Sequence, residues 1–115
     1  MIQPGDIYNY SDPSIPPHPV LVVSREELNR GDRVVAAIIT SKKFAVRSTL
    51  ANCVVLRAGS FGLTKDCVVQ GESVFNAPTL NLDLAAGPVG MLDDPTMREV
   101  IRAIGHVLDS DCEPN

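Results

Sequence analysis

The chain has 115 residues, of which 44% are hydrophobic and 21% are charged, and its formal net charge at pH 7 is −4. This length and composition predict a single globular domain over residues 1–115 and exclude a disordered chain. Because no apolar run approaches the roughly 20 residues that span a bilayer, and no signal peptide is recognisable at the N-terminus, we expect a cytoplasmic protein without membrane contact.

The first half of the chain predicts three strands separated by turns. Residues 5–10 predict the first strand, and the three prolines within residues 11–17 predict a loop after it. Residues 19–23 and 34–40 are β-branched and almost wholly apolar, which is typical of buried strands. Between these two strands, an S-x-x-E sequence has the spacing of a capping box and predicts a short helical turn.

The second half predicts further strands and one helix. The strands are predicted at residues 51–56, 66–75, 80–84 and 89–92. Alternation along the second of these strands sends Gln70 and Glu72 to the outer face together. Asp94 before Pro95 predicts a helix N-terminus, and apolar residues at helical spacing extend the helix over residues 95–108, leaving residues 109–115 as a frayed tail.

These elements together predict the fold class. Many short strands with one terminal helix favour a mainly β, α+β fold, in which a small β-barrel or roll packs against a C-terminal α-helix.

The cysteines and histidines indicate neither a disulfide framework nor a metal site. Cys53, Cys67 and Cys112 are odd in number and widely spaced, so we interpret them as reduced thiols of a cytosolic protein. Two histidines without a spaced cysteine pair argue against zinc. We therefore expect neither a metal nor another cofactor.

Positive charge is gathered in one segment of this acidic chain. No acidic residue occurs between Arg33 and Lys65, although the segment contains six basic residues. This pattern predicts an anionic partner. The centre of the segment is an apolar strand that ends in Thr40, Ser41, Lys42 and Lys43, and hydroxyl and ammonium groups together bind phosphodiesters. The alternative is a solvated loop that follows a buried strand.

Five short segments are informative because of their order and spacing. They are PGDIY at residues 4–8, HPVLVVS at residues 18–24, AIITS at residues 37–41, KDCVVQGE at residues 65–72 and VGML at residues 89–92. In this order they resemble the PemK/MazF family of toxin endoribonucleases from type II toxin–antitoxin systems, and the resemblance covers residues 4–108.

The resemblance implies a fold, an activity and partners. The fold is an SH3-like barrel with a C-terminal helix, which works as a homodimer. The activity is metal-independent cleavage of single-stranded RNA, either mRNA or tRNA, without a cofactor. A cognate antitoxin protein is expected to inhibit the toxin by covering the RNA groove.

The match to the family pattern is incomplete at the residues that are expected to carry out the reaction. Thr40, Ser41 and Glu72 match the pattern. His18 stands where the family has an arginine before the proline, and Gln70 stands where some members have an arginine two residues before the acid. The segment between the first two predicted strands is also shorter than is usual in the family. These departures bear on the reaction more than on the fold.

Three residues are the candidate catalytic groups. Cleavage of RNA by its own 2′-hydroxyl requires a base, a group that stabilises charge on the phosphate, and an acid for the leaving 5′-oxygen. His18 belongs to a residue type that titrates at physiological pH, so we predict that it acts as acid or base with Glu72 as its complement. Thr40 is predicted to donate its hydroxyl to a phosphate oxygen.

Five further residues are the candidate RNA-binding groups. They are Ser41, Lys42, Lys43, Arg47 and Gln70, of which the cationic three are predicted to hold the RNA backbone. Gln70 is predicted to bond a base edge or a phosphate. Phe44 follows the two lysines and could stack on an unpaired base or belong to the core.

Two other functions stay open at this point. One is a protein on the same fold that binds RNA or a protein partner without cutting, because the arginine is absent. The other is a toxin that inhibits a protein target such as a topoisomerase, in the manner of a gyrase poison. Incubation of the purified protein with long RNA and EDTA, followed by analysis for 5′-hydroxyl ends, separates these functions from RNA cleavage.

Overall fold

The computed structural model describes residues 1–108, and it contains one curled antiparallel sheet with a C-terminal helix. The elements in chain order are β1 (Asp6–Asp12), β2 (Ile15–Val22), β3 (Arg33–Thr40), α1 (Phe44–Arg47), β4 (Cys53–Leu56), β5 (Cys67–Pro78), a 3₁₀ turn (Thr79–Asn81), β6 (Gly90–Met91) and α2 (Asp94–Val107). The strands are ordered β4-β5-β3-β2-β1-β6 in the sheet. The predicted mainly β fold with a C-terminal helix is confirmed. The predicted tail and Cys112 lie outside the described residues.

Each face of the sheet carries its own hydrophobic core. Side chains alternate along the strands, so the paired residues Ile7 and Leu21 lie in one core, while Tyr8 of β1 lies in the other. The first core is the larger, and α2 covers it with Val100 and Ala103. This packing fixes α2 against β4 and β5, at one end of the sheet.

A close backbone contact joins the two ends of the sheet. The loop of residues 57–66 connects β4 to β5 at one end, and β6 forms the opposite edge. A Cβ atom on Gly62 of this loop would overlap the carbonyl group of Val89, and a Cβ atom on Gly90 would overlap that of Phe61. Only glycine permits such an approach, and Gly62 also has a φ of +79° that glycine adopts without strain. The contact holds the sheet in its curled form.

The predicted loop at residues 11–17 is wrong, because β1 and β2 form a hairpin with a turn of only Pro13 and Ser14. The Asp12 carboxylate accepts hydrogen bonds from the backbone N–H of Ser14 at 2.7 Å and from its hydroxyl at 2.6 Å. The prolines of β2 are tolerated because the strand pairs with β1 alone until Val20, where its pairing with β3 begins. Proline fits a strand whose N–H edge has no partner.

Two other elements differ from the prediction. Ser24 caps no helix, because its hydroxyl bonds Asn29 and accepts the backbone N–H of Val35 at 2.9 Å. The short helical turn predicted after it is present nonetheless: residues 26–30 form a turn, in which the backbone N–H of Asn29 donates to the carbonyl oxygen of Arg25 at 3.2 Å. The predicted strand at residues 80–84 is replaced by the 3₁₀ turn and a loop, in which Leu80 is exposed. Of the alternating leucines, Leu82 is buried in the second core and forms an isolated β-bridge with Tyr10, whereas Leu84, like Leu80, is exposed.

The helix α2 begins and packs slightly differently from the prediction. Its N-cap is Asp93 rather than Asp94, and the Asp93 carboxylate accepts the backbone N–H of Thr96 at 2.9 Å. Ile101, which has helical spacing with the core residues, is exposed, and Ala103 is buried in its place. A small residue at position 103 suits the close approach of α2 to the backbone of β5 at Gly71.

Candidate active site

The β1–β2 hairpin positions His18 over a buried tyrosine. His18 of β2 pairs with Tyr10 of β1, and the two ring centroids lie 5.7 Å apart. The Tyr10 ring packs edge-on against Phe75, with centroids 5.3 Å apart, so it gives the half-buried imidazole a fixed support. The Nδ1 atom of His18 lies 3.3 Å from the carbonyl oxygen of Pro19. That contact orients the ring when Nδ1 carries a proton.

Asp12, which sequence reasoning did not single out, lies at the end of β1 in the same hairpin as His18. Hydrogen bonds from Ser14 lower the pKa of Asp12, and the charge of the nearby His18 lowers it further.

Thr40 ends β3 and shapes the turn that follows it. Its Oγ1 atom accepts a hydrogen bond from the backbone N–H of Lys42 at 3.1 Å. A hydroxyl group that accepts one bond still has its own hydrogen to donate. The turn exposes Ser41 and Lys42 beside this hydroxyl.

Four of the predicted residues come together in one cleft. His18, Thr40, Ser41 and Lys42 line a cleft of about 350 Å³, together with Ile39 and the two prolines that flank His18. Leu63, Thr64, Lys65 and Cys67 complete the lining at the start of β5, on the other side of β3 from His18. No acidic side chain lines the cleft within the described residues. An imidazole, hydroxyls and ammonium groups facing one space suit an anionic phosphodiester.

Thr64 and Lys65 are the site residues that sequence reasoning missed. Lys65 was recognised only as the end of the acid-free segment, and Thr64 was not considered. A signal was present, since Thr64-Lys65 repeats the hydroxyl–ammonium pairing of Ser41-Lys42. The contact between the two segments is tertiary, because the loop of residues 57–66 folds toward the end of β3.

Glu72 and Gln70 do not line this cleft. The Glu72 carboxylate accepts hydrogen bonds from Asn52 Nδ2 at 2.7 Å and from Gln70 Nε2 at 3.0 Å. Along β5, Glu72 lies on the order of 15 Å beyond Cys67, which is at the cleft. The structure therefore does not bring Glu72 to His18 within one chain.

Gln70 is buried rather than exposed as predicted, although it stays beside Glu72. Its side chain donates to Glu72, so the two side chains lie together as predicted, but Gln70 is buried while Glu72 is exposed. The strand is irregular at the intervening Gly71, because the pairing of β5 with β3 passes from Val69 to Val74 while β3 advances only from Ile39 to Ala37.

Arg47 and Lys43 support the cleft from outside it. The Arg47 Nη1 atom donates to the carbonyl oxygen of Lys42 at 3.0 Å, which holds the turn after β3. Lys43 has a φ of 54° and precedes α1. The Arg57 guanidinium lies 5.5 Å from the centroid of the half-buried Phe44 ring, so one face of this ring is already covered.

The thiols and the acidic groups give no metal site in the described part of the chain. Cys53 and Cys67 are free and buried. Burial raises the pKa of both thiols, with a further increase from Glu72 at Cys53 and from Asp66 at Cys67. Within residues 1–108, no group of three or more His, Cys, Asp or Glu side chains could hold a metal ion. No helix among these residues is long and apolar enough to cross a membrane.

A family model places the chain in a known class. The model of the PemK-like, MazF-like toxins of type II toxin–antitoxin systems matches residues 4–108. The chain therefore belongs to the PemK/MazF family of toxins, as its five segments indicated. No curated protein sequence matches the chain significantly.

Solved structures of similar fold include toxins from two bacterial genera. An endoribonuclease from a mycobacterial species, solved with its cognate antitoxin, has a TM-score of 0.78 at 23% identity, with 95% of this chain and 96% of that chain covered. The toxin MazF-mt6 of Mycobacterium tuberculosis has a TM-score of 0.75 at 24% identity, with 90% and 96% covered. The MazE–MazF structure from Deinococcus radiodurans gives a TM-score of 0.74 at 16% identity, with 93% and 94% covered. At these identities the likeness supports the shared fold.

Proposed function

We propose that this toxin is a metal-independent endoribonuclease that cleaves single-stranded RNA, mRNA or tRNA, by attack of the 2′-hydroxyl. The observation that supports the proposal most is the acid-free cleft in which His18 and Thr40 face Lys42 and Lys65. The names of its structural relatives, which include endoribonucleases, are consistent with this activity.

The proposed reaction is a transesterification. The 2′-oxygen forms a bond to phosphorus while the bond from phosphorus to the 5′-oxygen breaks. The proton of the 2′-hydroxyl passes to a base, and the leaving 5′-oxygen receives a proton from an acid. His18 performs one of these transfers, and the Thr40 hydroxyl donates to a non-bridging phosphate oxygen. Glu72 stays a candidate for the complementary transfer only where a second chain brings it to the cleft.

The RNA-binding residues divide into two groups in this proposal. Ser41 and Lys42 contact the phosphate in the cleft, and Lys43 and Arg47 extend the positive surface beside it. Gln70 is buried and bonded to Glu72, so its role is to hold that carboxylate rather than to read a base.

We propose two protein partners in addition. The first is a cognate antitoxin, by analogy with the toxin–antitoxin complexes among the structural relatives. The second is another copy of this chain, which forms a homodimer in the cytosol. The proposed RNA substrate and the interpretation of the cysteines as reduced thiols both agree with a location in the cytosol.

A cleavage assay in EDTA tests the proposal. Purified protein is incubated with a long single-stranded transcript of mixed sequence in excess EDTA, and the new ends are identified chemically. The expected products carry 2′,3′-cyclic phosphates and 5′-hydroxyls, because the 2′-oxygen is the nucleophile. Products with 5′-phosphates, or cleavage only after Mg²⁺ is added, would contradict the mechanism.

One observation favours a second function, in which the protein binds RNA without cutting it. His18 occupies the place of the family arginine, and the structure shows no carboxylate within the cleft to complement it in the described part of the chain. Intact RNA that nevertheless binds with a steep salt dependence would support this second function.

A further inference from the structure

The cleft contains two lysines, and their surroundings differ. Lys42 lies on the exposed turn after β3, where its carbonyl oxygen bonds Arg47. Lys65 precedes β5, on the other side of β3 from His18, and its own carbonyl oxygen accepts a hydrogen bond from the Cys67 thiol at 3.3 Å. Cys67 is buried and lines the cleft, so this hydrogen bond anchors the backbone of Lys65 at the cleft.

The acidic neighbour of Lys65 points away from the cleft. Asp66 bonds the backbone N–H of Ala58 at 2.8 Å and forms an ion pair with Arg57 at 3.5 Å. That ion pair is the one salt bridge within residues 1–108, so Lys65 has no carboxylate partner there. The ammonium group is left available to an anion. Consistently, the charge of Lys65 opposes the effects of burial and Asp66 on the pKa of the Cys67 thiol.

We infer that Lys65 is a catalytic residue that neutralises the reacting phosphate from the β5 side of the cleft. This inference deepens the proposed endoribonuclease function and rests on it. The two non-bridging oxygens share one negative charge and gain more as the 2′-oxygen attacks, and a permanent cation stabilises them without exchanging a proton. His18 cannot serve as acid or base and as a permanent cation in the same step, because its proton moves. Lys65 supplies the fixed charge, and Thr64 adds a hydroxyl donor beside it.

A pair of charge-matched variants tests the assignment. Lys65→Gln and Arg33→Gln each remove one positive charge from the same basic segment, but only Lys65 lines the cleft, while Arg33 is exposed at the start of β3, at the other end of the strand from Thr40. We expect Lys65→Gln to lower the first-order cleavage rate at saturating protein by about 10²-fold or more, as the loss of one donor to a developing oxyanion does. Arg33→Gln should lower it by less than about threefold, since a charge distant from the reacting phosphate acts mainly through association.

A conservative substitution of Lys65 distinguishes a role of its positive charge from a role in supporting the loop. Lys65→Arg retains the positive charge and is expected to stay within about tenfold of the wild type, because guanidinium also binds phosphate. Thermal unfolding of every variant controls for folding, and Lys65→Met provides a second neutral side chain if glutamine disturbs the loop. Equal rates for Lys65→Gln and Arg33→Gln, or an equal loss in Lys65→Arg and Lys65→Gln, would overturn the catalytic assignment.

Failure of the inference is distinguishable from failure of the proposed function. If the wild-type protein leaves the transcript intact, the endoribonuclease function fails and the catalytic role of Lys65 fails with it. If the wild type cleaves and Lys65→Gln cleaves equally well, only the present inference fails. Binding of the same transcript in a salt titration adds an independent readout. If Lys65 contacts a phosphate directly, Lys65→Gln reduces the slope of log affinity against log salt by roughly one, and Arg33→Gln gives the comparison.

Discussion

His18 combines two properties that set it apart within the cleft. Its backbone lies in a strand, paired with Tyr10, so the imidazole is held more rigidly than a loop residue would be. Among the residue types that line the cleft, histidine is also the one whose charge changes across physiological pH. A rigid, titratable group is suited to proton transfer.

We expect His18→Ala to lower the rate of RNA cleavage by about 10²-fold or more, as is usual for the loss of a general acid or base. RNA affinity should stay nearly unchanged, because Lys42 and Lys65 still provide the positive charge. His18→Arg is the matched control, since arginine stays charged and should flatten the pH profile between about pH 5 and pH 8. Single-turnover rates across that range provide the measurement.

If His18→Ala cleaves RNA at the wild-type rate, His18 has no role in the reaction. Proton transfer would then have to come from a group elsewhere, such as Glu72 brought in by a second chain.

At the scale of elements, the sequence predicted the strands whose side chains are buried on both faces. Residues 19–23 and 34–40 are almost wholly apolar, and burial on two faces requires that pattern. The hairpin of β1 and β2 was not predictable from composition, because the tolerance of its prolines depends on where β3 stops pairing with β2. The irregularity of β5 was missed for a similar reason, since Gly71 is needed only where α2 and Asn52 approach the strand.

The candidate site was predictable from the sequence only where its residues are contiguous in the chain. Thr40, Ser41 and Lys42 are contiguous at the end of a strand, so a local pattern sufficed to find them. Lys65 enters the cleft through the packing of a loop against distant strands, which no local pattern encodes.

The N-terminus of α2 provides a prediction on stability and pH. Hydrogen bonds from Thr96 lower the pKa of Asp93 below the usual 3.8. A carboxylate with a depressed pKa stabilises the fold above its unfolded pKa, and that contribution disappears as the pH falls through the folded pKa. Asp93→Ala should therefore lower the Tm at pH 7, and the difference from the wild type should shrink below about pH 3.8.

Asp93→Asn is the control for this effect. Asparagine keeps an acceptor oxygen at the N-cap but does not titrate, so its Tm should vary less with acid than that of the wild type. A Tm difference between the wild type and Asp93→Ala that stays constant from pH 7 to pH 2 would contradict the role of the ionised carboxylate.

The contact between Gly62 and Gly90 provides a prediction on packing. Gly90→Ala should destabilise the protein by about 1–3 kcal/mol, because the added methyl group overlaps the Phe61 carbonyl and the backbone must shift. Urea unfolding measures the change. Gly31→Ala is a suitable control, since a Cβ atom there meets nothing within 4 Å. Equal stability of both variants would show that the two ends of the sheet do not depend on this contact.

At the scale of the whole molecule, we expect a homodimer. Large apolar side chains are exposed on several surfaces, including Val46 at 64%, Leu80 at 86% and Ile101 at 51%. Exposed apolar area of this kind often marks contact with another chain. Light scattering at micromolar concentration should report twice the mass of one chain. A species of about 12 kDa alone, as the 12.3 kDa chain would give, would contradict the dimer.

The curled sheet also determines at which point of its own synthesis the chain can complete the cleft. The loop of residues 57–66, which carries Thr64 and Lys65, contacts Val89 and Gly90 through Phe61 and Gly62, and Val89 is synthesised 25 residues after Thr64. Until then the loop lacks the backbone that holds it, and we expect the cleft to be incomplete. Under the proposed endoribonuclease function, the ribosome would therefore be finishing the chain before the new toxin could cleave the mRNA that encodes it.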